Sequence, residues 1–264
     1  MDSGMKLAVL IDAENISGKY IKTILDEASN NGNIIIKRIY GNWTNNQMAS
    51  WKEVILDNSI QPIQQYSNTV GKNSTDSALI IDAMDLLYSG RIEGFCIISS
   101  DSDFTRLAAR LRESEKFVLG MGELKTPKSF INACDKFSYL DILYSENGKA
   151  DKPDAAKTEK KESAGKAPES PAVKQDKRNG ESGADRDYIV HTIKALIDEH
   201  SDDDGWIYTG LLGNLLMKRF PDFDSRNFGY TKLSTFLASL DMFQVKRTPS
   251  EENPKSKLVY VRNK

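Results

Sequence analysis

The chain has 264 residues, of which 39% are hydrophobic and 28% charged, with a net charge of -2 and a mean hydropathy of -0.50. This length allows one or two domains, and because no apolar run approaches the roughly 18 residues of a membrane helix, a membrane protein is not expected. The two cysteines and two histidines lack metal-ligand spacing, which excludes a disulfide scaffold and a zinc site and favours a cytoplasmic protein.

The first 145 residues predict β-strands that alternate with amphipathic helices. The predicted strands cover 7–11, 34–40, 60–66, 95–99, 117–121 and 139–143. The predicted helices cover 16–30, 45–58, 76–89, 103–114 and 127–134. Nearly continuous apolar strands that alternate with helices indicate a parallel sheet covered on both faces, which is a three-layer α/β domain.

A change in composition marks the end of this domain. Residues 146–185 contain three prolines, four glycines and alternating lysine and glutamate, and Val173 is the only large apolar side chain. Such a stretch cannot bury enough apolar surface to offset the entropy of ordering it. We therefore expect a disordered linker at 146–185 between a first domain at 1–145 and a second at 186–264.

The last segment has the pattern of a small helical domain with a hairpin. Three helices followed by two short strands in about 80 residues are the layout of a winged helix-turn-helix. The predicted helices cover 188–200, 209–220 and 227–239, and the predicted strands cover 243–245 and 258–261.

The charge of the chain is unevenly distributed. Residues 205–264 carry ten basic and five acidic side chains, whereas residues 1–145 carry 15 basic and 18 acidic ones. A basic C-terminal segment suits a partner with a phosphate backbone, although an ordinary solvated surface has a similar balance.

Four aspartates fall where a parallel sheet would bring side chains together. Asp12 follows the first predicted strand, Asp101 follows the fourth, Asp103 comes two residues later, and Asp76 opens a predicted helix. Ligands of open parallel sheets bind at the carboxyl ends of the strands. Carboxylates without histidine or cysteine suit Mg²⁺ or Mn²⁺. The alternative for Asp76 and Asp103 is an ordinary role as helix N-caps.

Other phosphate-handling sites agree less well with the sequence. Neither a dinucleotide-binding glycine motif nor a P-loop is present. A haloacid-dehalogenase-type phosphatase needs a second aspartate at the position of Glu14. A topoisomerase-primase-like site stays open on motif alone, since Asp101 and Asp103 have its Asp-x-Asp form.

Three segments resemble the NYN family, a branch of the PIN-like nuclease superfamily. They are VLIDAEN at 9–15, KNSTD at 72–76 running into IDAMDLL at 81–87, and IISSDSDF at 97–104, within a resemblance that spans about residues 5–144. The resemblance implies a PIN-like fold and metal-dependent hydrolysis of phosphodiesters, usually of RNA.

The same resemblance assigns roles to individual residues. It implies that Asp12 and Asp101 are the principal metal ligands and that Asp76 and Asp103 support them. It also implies that Asn15 lies beside the metal pocket. Lys72 is a candidate phosphate contact, with an ordinary solvated side chain as the alternative, and Ser100 and Thr105 are candidates for orienting ligands or substrate. Asn15 has the alternative role of N-cap for the helix predicted at 16–30.

The C-terminal segment is similar to the LOTUS (OST-HTH) family over about residues 186–262. The similarity rests on GWIYTGLLGN at 205–214, FPDF at 220–223 and NFGYTKLSTFL at 227–237. It implies RNA binding, with protein binding in some members. The candidate RNA contacts are Lys218, Arg219, Arg226, Tyr230, Lys232, Lys246 and Arg247. For Tyr230, packing in the core against Leu233 and Phe236 is the alternative.

Together these patterns predict a metal-dependent ribonuclease joined to an RNA-binding winged helix, with Mg²⁺ or Mn²⁺ as cofactor. RNA is the expected partner, protein partners of the C-terminal domain are a second expectation, and no membrane is expected. A non-catalytic RNA-binding or adaptor protein in RNA metabolism or regulation is the alternative, and a phosphatase acting on small phosphoesters is a third reading.

Overall fold

The computed structural model describes residues 4–45, 48, 50–66, 74–150, 182–249 and 257–264. The chain forms two compact units, one made of Met1–Gly148 with Gly213–Phe236 and the other of Lys149–Leu212 with Leu237–Lys264. Most of the predicted linker, at 151–181, lies outside the described residues. The helices on either side of that gap end at residue 150 and begin at residue 182.

A six-stranded parallel sheet forms the centre of the first unit. Its strands are β1 Lys6–Asp12, β2 Asn33–Gly41, β3 Gln61–Gln64, β4 Gly94–Ile98, β5 Phe117–Gly122 and β6 Lys136–Tyr139. The strand order is β3-β2-β1-β4-β5-β6, and all neighbouring pairs are parallel. The order of the strands reverses between β1 and β4, and in open α/β sheets this switch point is where a binding crevice forms.

Helices cover both faces of this sheet. They are α1 Ile21–Asn31, α2 Trp51–Asp57, α3 Ser74–Tyr88, α4 Thr105–Glu113, α5 Lys128–Ala133 and α6 Leu140–Ala150. Alternate residues of a strand point to opposite faces. Leu10 and Ile97 therefore pack with buried residues of α3, α4 and α5, whereas Val9 and Cys96 pack with those of α1 and α2. The predicted α/β fold with a parallel sheet is confirmed.

The last strand of this sheet differs from the prediction. The sequence predicts a strand at 139–143, but the chain is already helical from Leu140 onward, and the strand that pairs with β5 is β6. Leu140 and Leu143 are both buried three residues apart, and Asp141 lies in the first turn of the helix. This spacing and an acid in the first turn favour a helix over a strand.

The remaining elements combine three helices with a small antiparallel sheet. They are α7 Ser182–His200, β7 Ile207–Tyr208, α8 Thr209–Arg219, α9 Leu233–Ala238, β8 Phe243–Pro249 and β9 Lys257–Asn263. The strand order is β7-β9-β8. The short strand β7, which the sequence analysis did not predict, pairs with β9, and both predicted hairpin strands are longer than expected.

The third helix predicted in this region, at 227–239, is interrupted. A single 3-10 turn at Ser225–Phe228 ends at Gly229, whose φ of 81° is left-handed, and α9 begins only at Leu233. Glycine adopts this backbone conformation without steric cost, so it ends the turn. Among the described residues, no helix combines the length and apolar character that crossing a bilayer requires.

Candidate functional site

Asp12 lies at the carboxyl end of β1 and is only 1% exposed. Its Oδ2 accepts hydrogen bonds from Asn15 Nδ2 at 2.7 Å and from Ser99 Oγ at 2.8 Å, and its Oδ1 accepts one from the Glu14 backbone N–H at 3.2 Å. Burial raises the pKa of Asp12, and these hydrogen bonds offset part of that rise. The carboxylate is therefore fixed in one orientation at the sheet edge.

Ser99 connects this aspartate to the loop after β4. The Ser99 hydroxyl donates to Asp12 and accepts a hydrogen bond from the Asp101 backbone N–H at 3.1 Å. The side chain is fully buried, and Ile11 pairs with Ile98 in the β1–β4 register, so the next residue of each strand lies side by side. The sequence analysis did not select Ser99, because only the strand register brings it next to Asp12.

The carboxylates of Asp76, Asp101 and Asp103 come together at this edge. One oxygen of each lies within 4.8 Å of the others. Asp101 is the N-cap of the 3-10 turn at Ser102–Phe104, where its Oδ1 accepts the Asp103 backbone N–H at 2.9 Å. Asp103 is therefore not the capping residue, and Asp76 lies inside the first turn of α3.

Burial and the neighbouring acids both disfavour the ionised form of Asp76. Burial and, after it, the charges of Asp12, Asp101, Asp103 and Glu14 raise the pKa of Asp76 to about 6. Asp12 and Glu14 therefore also contribute to the negative potential around Asp76. Glu14 Oε1 also accepts a hydrogen bond from Thr75 Oγ1 at 3.2 Å, which links the β1 loop to α3.

The supporting residues predicted from the sequence contribute differently. Asn15 contacts Asp12 directly and does not cap a helix, because α1 begins later, at Ile21. Ser100 Oγ accepts the Glu123 backbone N–H at 2.9 Å, and Thr105 Oγ1 donates to the Ser102 carbonyl at 2.5 Å. These two hydroxyls stabilise the surrounding loops through hydrogen bonds to the backbone. Lys72 lies outside the described residues.

The donor set suits a hard divalent cation. All of its members are carboxylates, and oxygen ligands are those that Mg²⁺ and Mn²⁺ prefer. Burial and, after it, the charges of neighbouring acids raise the pKa of Asp76, and a cation bound there would stabilise its ionised form.

Among the predicted RNA contacts, Arg226 lies in an ion-pair network of the first unit. Its guanidinium pairs with Asp224 at 2.5 Å and with Glu27 at 3.3 Å, and the buried Glu27 also pairs with Lys136 at 2.8 Å. Burial works to raise the pKa of Glu27, but the Lys136 and Arg226 charges outweigh it and lower that pKa.

The other predicted contacts vary in exposure. The Tyr230 ring is partly exposed, and its centroid lies 5.6 Å from that of Phe236, which agrees with the packing alternative. The remaining candidates are exposed, and they are Lys218, Arg219, Lys232, Lys246 and Arg247.

Comparisons with known proteins agree with both resemblances. Residues 6–141 match the NYN domain, and residues 188–254 match the OST-HTH/LOTUS domain. No curated protein matches the chain. A solved structure of a protein of unknown function from Vibrio parahaemolyticus is 16% identical, with a TM-score of 0.44, over 52% of this chain and 93% of that chain. The chain therefore belongs to the NYN domain family and carries an OST-HTH/LOTUS domain after its NYN domain.

Proposed function

We propose that this protein is a divalent-metal-dependent ribonuclease that hydrolyses RNA phosphodiesters. The observation that carries the proposal is the meeting of Asp76, Asp101 and Asp103 within 4.8 Å at the carboxyl edge of the parallel sheet. Two segments that are distant in sequence supply these acids. Membership in the NYN family supports the interpretation of the cluster as a nuclease site.

In this proposal the four aspartates bind the metal together. Asp76, Asp101 and Asp103 would hold Mg²⁺ or Mn²⁺, together with Asp12, which Asn15 and Ser99 orient. A divalent cation bound there would activate water and stabilise the charge that develops on the phosphoryl oxygens.

The C-terminal region would supply the affinity for RNA, and proteins are its alternative partners. Its match to the OST-HTH/LOTUS domain and its ten basic against five acidic residues between 205 and 264 support this assignment. The free cysteines, Cys96 and Cys134, are both buried, and thiols of this kind agree with a cytoplasmic location.

The test compares three substrates in the presence of Mn²⁺ or EDTA. We expect the wild-type chain to cleave labelled RNA in an EDTA-sensitive reaction, and Asp12→Asn and Asp101→Asn to abolish cleavage. Asp85→Asn is the matched control, because Asp85 is an exposed aspartate on α3 away from the cluster, and it should cleave as the wild type does. Labelled single-stranded DNA and a chromogenic phosphoester measure selectivity.

Equal cleavage by wild type and the two site variants would reject the proposal and indicate a contaminating nuclease. RNA binding without any cleavage would favour the adaptor alternative. Hydrolysis of the phosphoester without cleavage of RNA would favour a phosphatase.

A further inference from the structure

The small antiparallel sheet has two chemically different faces. Cross-strand pairing places Tyr208 beside Tyr260 and Tyr260 beside Lys246, so these three side chains share one face. The next pair on that face is Arg262 with Gln244. The opposite face carries apolar residues that are largely buried, and they are Ile207, Val245 and Val261. The first face is therefore the outward one.

Aromatic rings and cations lie together on this outward face. Trp206 precedes β7, and its ring lies 4.8 Å from the Arg262 guanidinium and 5.6 Å from Lys246 Nζ. The rings of Tyr208 and Tyr260 are 5.9 Å apart. We call these five residues, Trp206, Tyr208, Lys246, Tyr260 and Arg262, the aromatic sheet face.

The geometry of this face is fixed by its surroundings. A Cβ added to Gly210 would lie 2.5 Å from the Tyr208 ring, so this glycine leaves the space in which that ring packs. Arg262 Nε donates to Gln244 Oε1 at 2.8 Å, which holds the guanidinium over Trp206. Tyr208 nevertheless remains 44% exposed. Rings held in place but open to solvent lose little freedom when a flat ligand stacks on them.

All charged side chains of the three strands are basic. β7, β8 and β9 together carry four basic side chains and no acidic one. Single-stranded nucleic acids bind to surfaces that combine aromatic rings for the bases with cations for the backbone. Guanidinium groups also stack on unpaired RNA bases, whereas the bases of an RNA duplex are inaccessible to flat side chains of this kind.

We propose that the aromatic sheet face binds single-stranded RNA, with unpaired bases stacked on Tyr208, Tyr260 and the Arg262 guanidinium and with Lys246 at a phosphate. This inference deepens the proposed function and rests on RNA being the ligand. It assigns base stacking to the sheet, whereas the sequence offered Tyr230 as a candidate RNA contact with core packing as the alternative.

The experiment measures binding of a short fluorescein-labelled oligouridylate to the full chain by fluorescence anisotropy in EDTA, which prevents cleavage. Tyr208→Ala should weaken binding about tenfold, because one stacked base is lost. Tyr208→Phe keeps the ring and should bind as the wild type does. Lys246→Gln should lower the slope of log affinity against log salt concentration by about 0.7, the value for one phosphate contact on a single strand.

Lys257→Gln is the matched control for charge. Lys257 is exposed on the neighbouring strand β9 but alternates to the other face, so its loss should change the salt slope less. Circular dichroism of each variant verifies that the fold is retained.

Three outcomes would overturn the inference: wild-type affinity in both Tyr208→Ala and Lys246→Gln, equal losses in Lys246→Gln and Lys257→Gln, or displacement of the probe by duplex RNA as effective as by single strands. The cleavage assay above reports separately on the nuclease. Oligouridylate binding that depends on Tyr208, without cleavage of any RNA, would reject the ribonuclease and support the aromatic sheet face.

Discussion

The Asp76 carboxyl group shows how the acidic cluster affects the metal-free protein. Its folded pKa of about 6 exceeds the ordinary value of 3.8, because burial and neighbouring negative charges disfavour its ionised form. The stability that this group contributes is fully present below its unfolded pKa and is lost as the pH rises through 6. At neutral pH the ionised carboxylate therefore destabilises the metal-free fold.

Asp76→Asn should consequently stabilise the metal-free protein at neutral pH. The side chain is partly exposed, and after a discount for solvent screening we expect a gain of about 1 kcal/mol at pH 7.5 and a smaller gain at pH 4.5. Urea unfolding in EDTA measures this difference, with Asp85→Asn as the exposed control. An equal gain at both pH values would contradict the assigned cause.

Adding Mn²⁺ should reverse this difference in stability between the wild type and Asp76→Asn. A ligand that binds only the folded chain stabilises it, and the wild type would then gain more than Asp76→Asn.

The junction between β1 and β4 depends on a buried hydroxyl. Ser99 donates to Asp12 and accepts from the Asp101 backbone, so a single side chain sets the position of both predicted principal ligands. Groups that orient metal ligands in this way are often nearly as important for metal binding as the ligands.

Ser99→Ala should therefore lower Mn²⁺ affinity or RNA cleavage by about 10- to 100-fold. Isothermal titration with Mn²⁺ and the cleavage assay measure the two effects. Ser100→Ala is the matched control, because the neighbouring Ser100 hydroxyl accepts the Glu123 backbone N–H instead of contacting Asp12. Unchanged Mn²⁺ binding and cleavage in Ser99→Ala would show that Asp12 and Asp101 hold their positions without it.

Patterns within single segments predicted much of this architecture and the edge at which the acids meet, but not the individual contacts between segments. The meeting of Asp76 and Asp101 follows from strand and helix ends that share one sheet edge. The role of Ser99 depends on the β1–β4 register, and the ion pair of Arg226 with Glu27 joins residues almost 200 positions apart. Leu140 was placed in a strand because a short apolar run fits either a strand or a helix.

The first unit extends beyond the sequence boundaries of its sheet, because it includes residues 213–236. The edge strand β6 donates the Phe137 backbone N–H to the Pro221 carbonyl at 2.7 Å, and Tyr139 donates its hydroxyl to Asp222 at 2.8 Å. An edge strand exposes unpaired backbone groups, and the first of these contacts satisfies one of them. Arg226 and Glu27 add the ion pair described above.

A chain truncated after Gly148 should therefore be less stable than the first unit of the full protein. It loses the Pro221 carbonyl as well as the charged hydrogen bonds of Arg226 to the buried Glu27, which alone contribute about 2 kcal/mol. Thermal unfolding and hydrogen exchange at the Phe137 amide measure the loss, and Arg226→Gln in the full chain should reproduce part of it. A truncated chain that unfolds no earlier, with a Phe137 amide equally protected, would show that residues 213–236 do not stabilise this unit.

The strand order that places β1 against β4 has a consequence for the timing of synthesis. Asp12 leaves the ribosome early, but its neighbour Ser99 and the acids at 101 and 103 follow strand β4, which is made much later. The nascent polypeptide therefore cannot assemble the acidic cluster until β4 has emerged and inserted beside β1. In the ribonuclease that we propose, an unfinished chain that stops before β4 should therefore not cleave the messenger from which it is being translated.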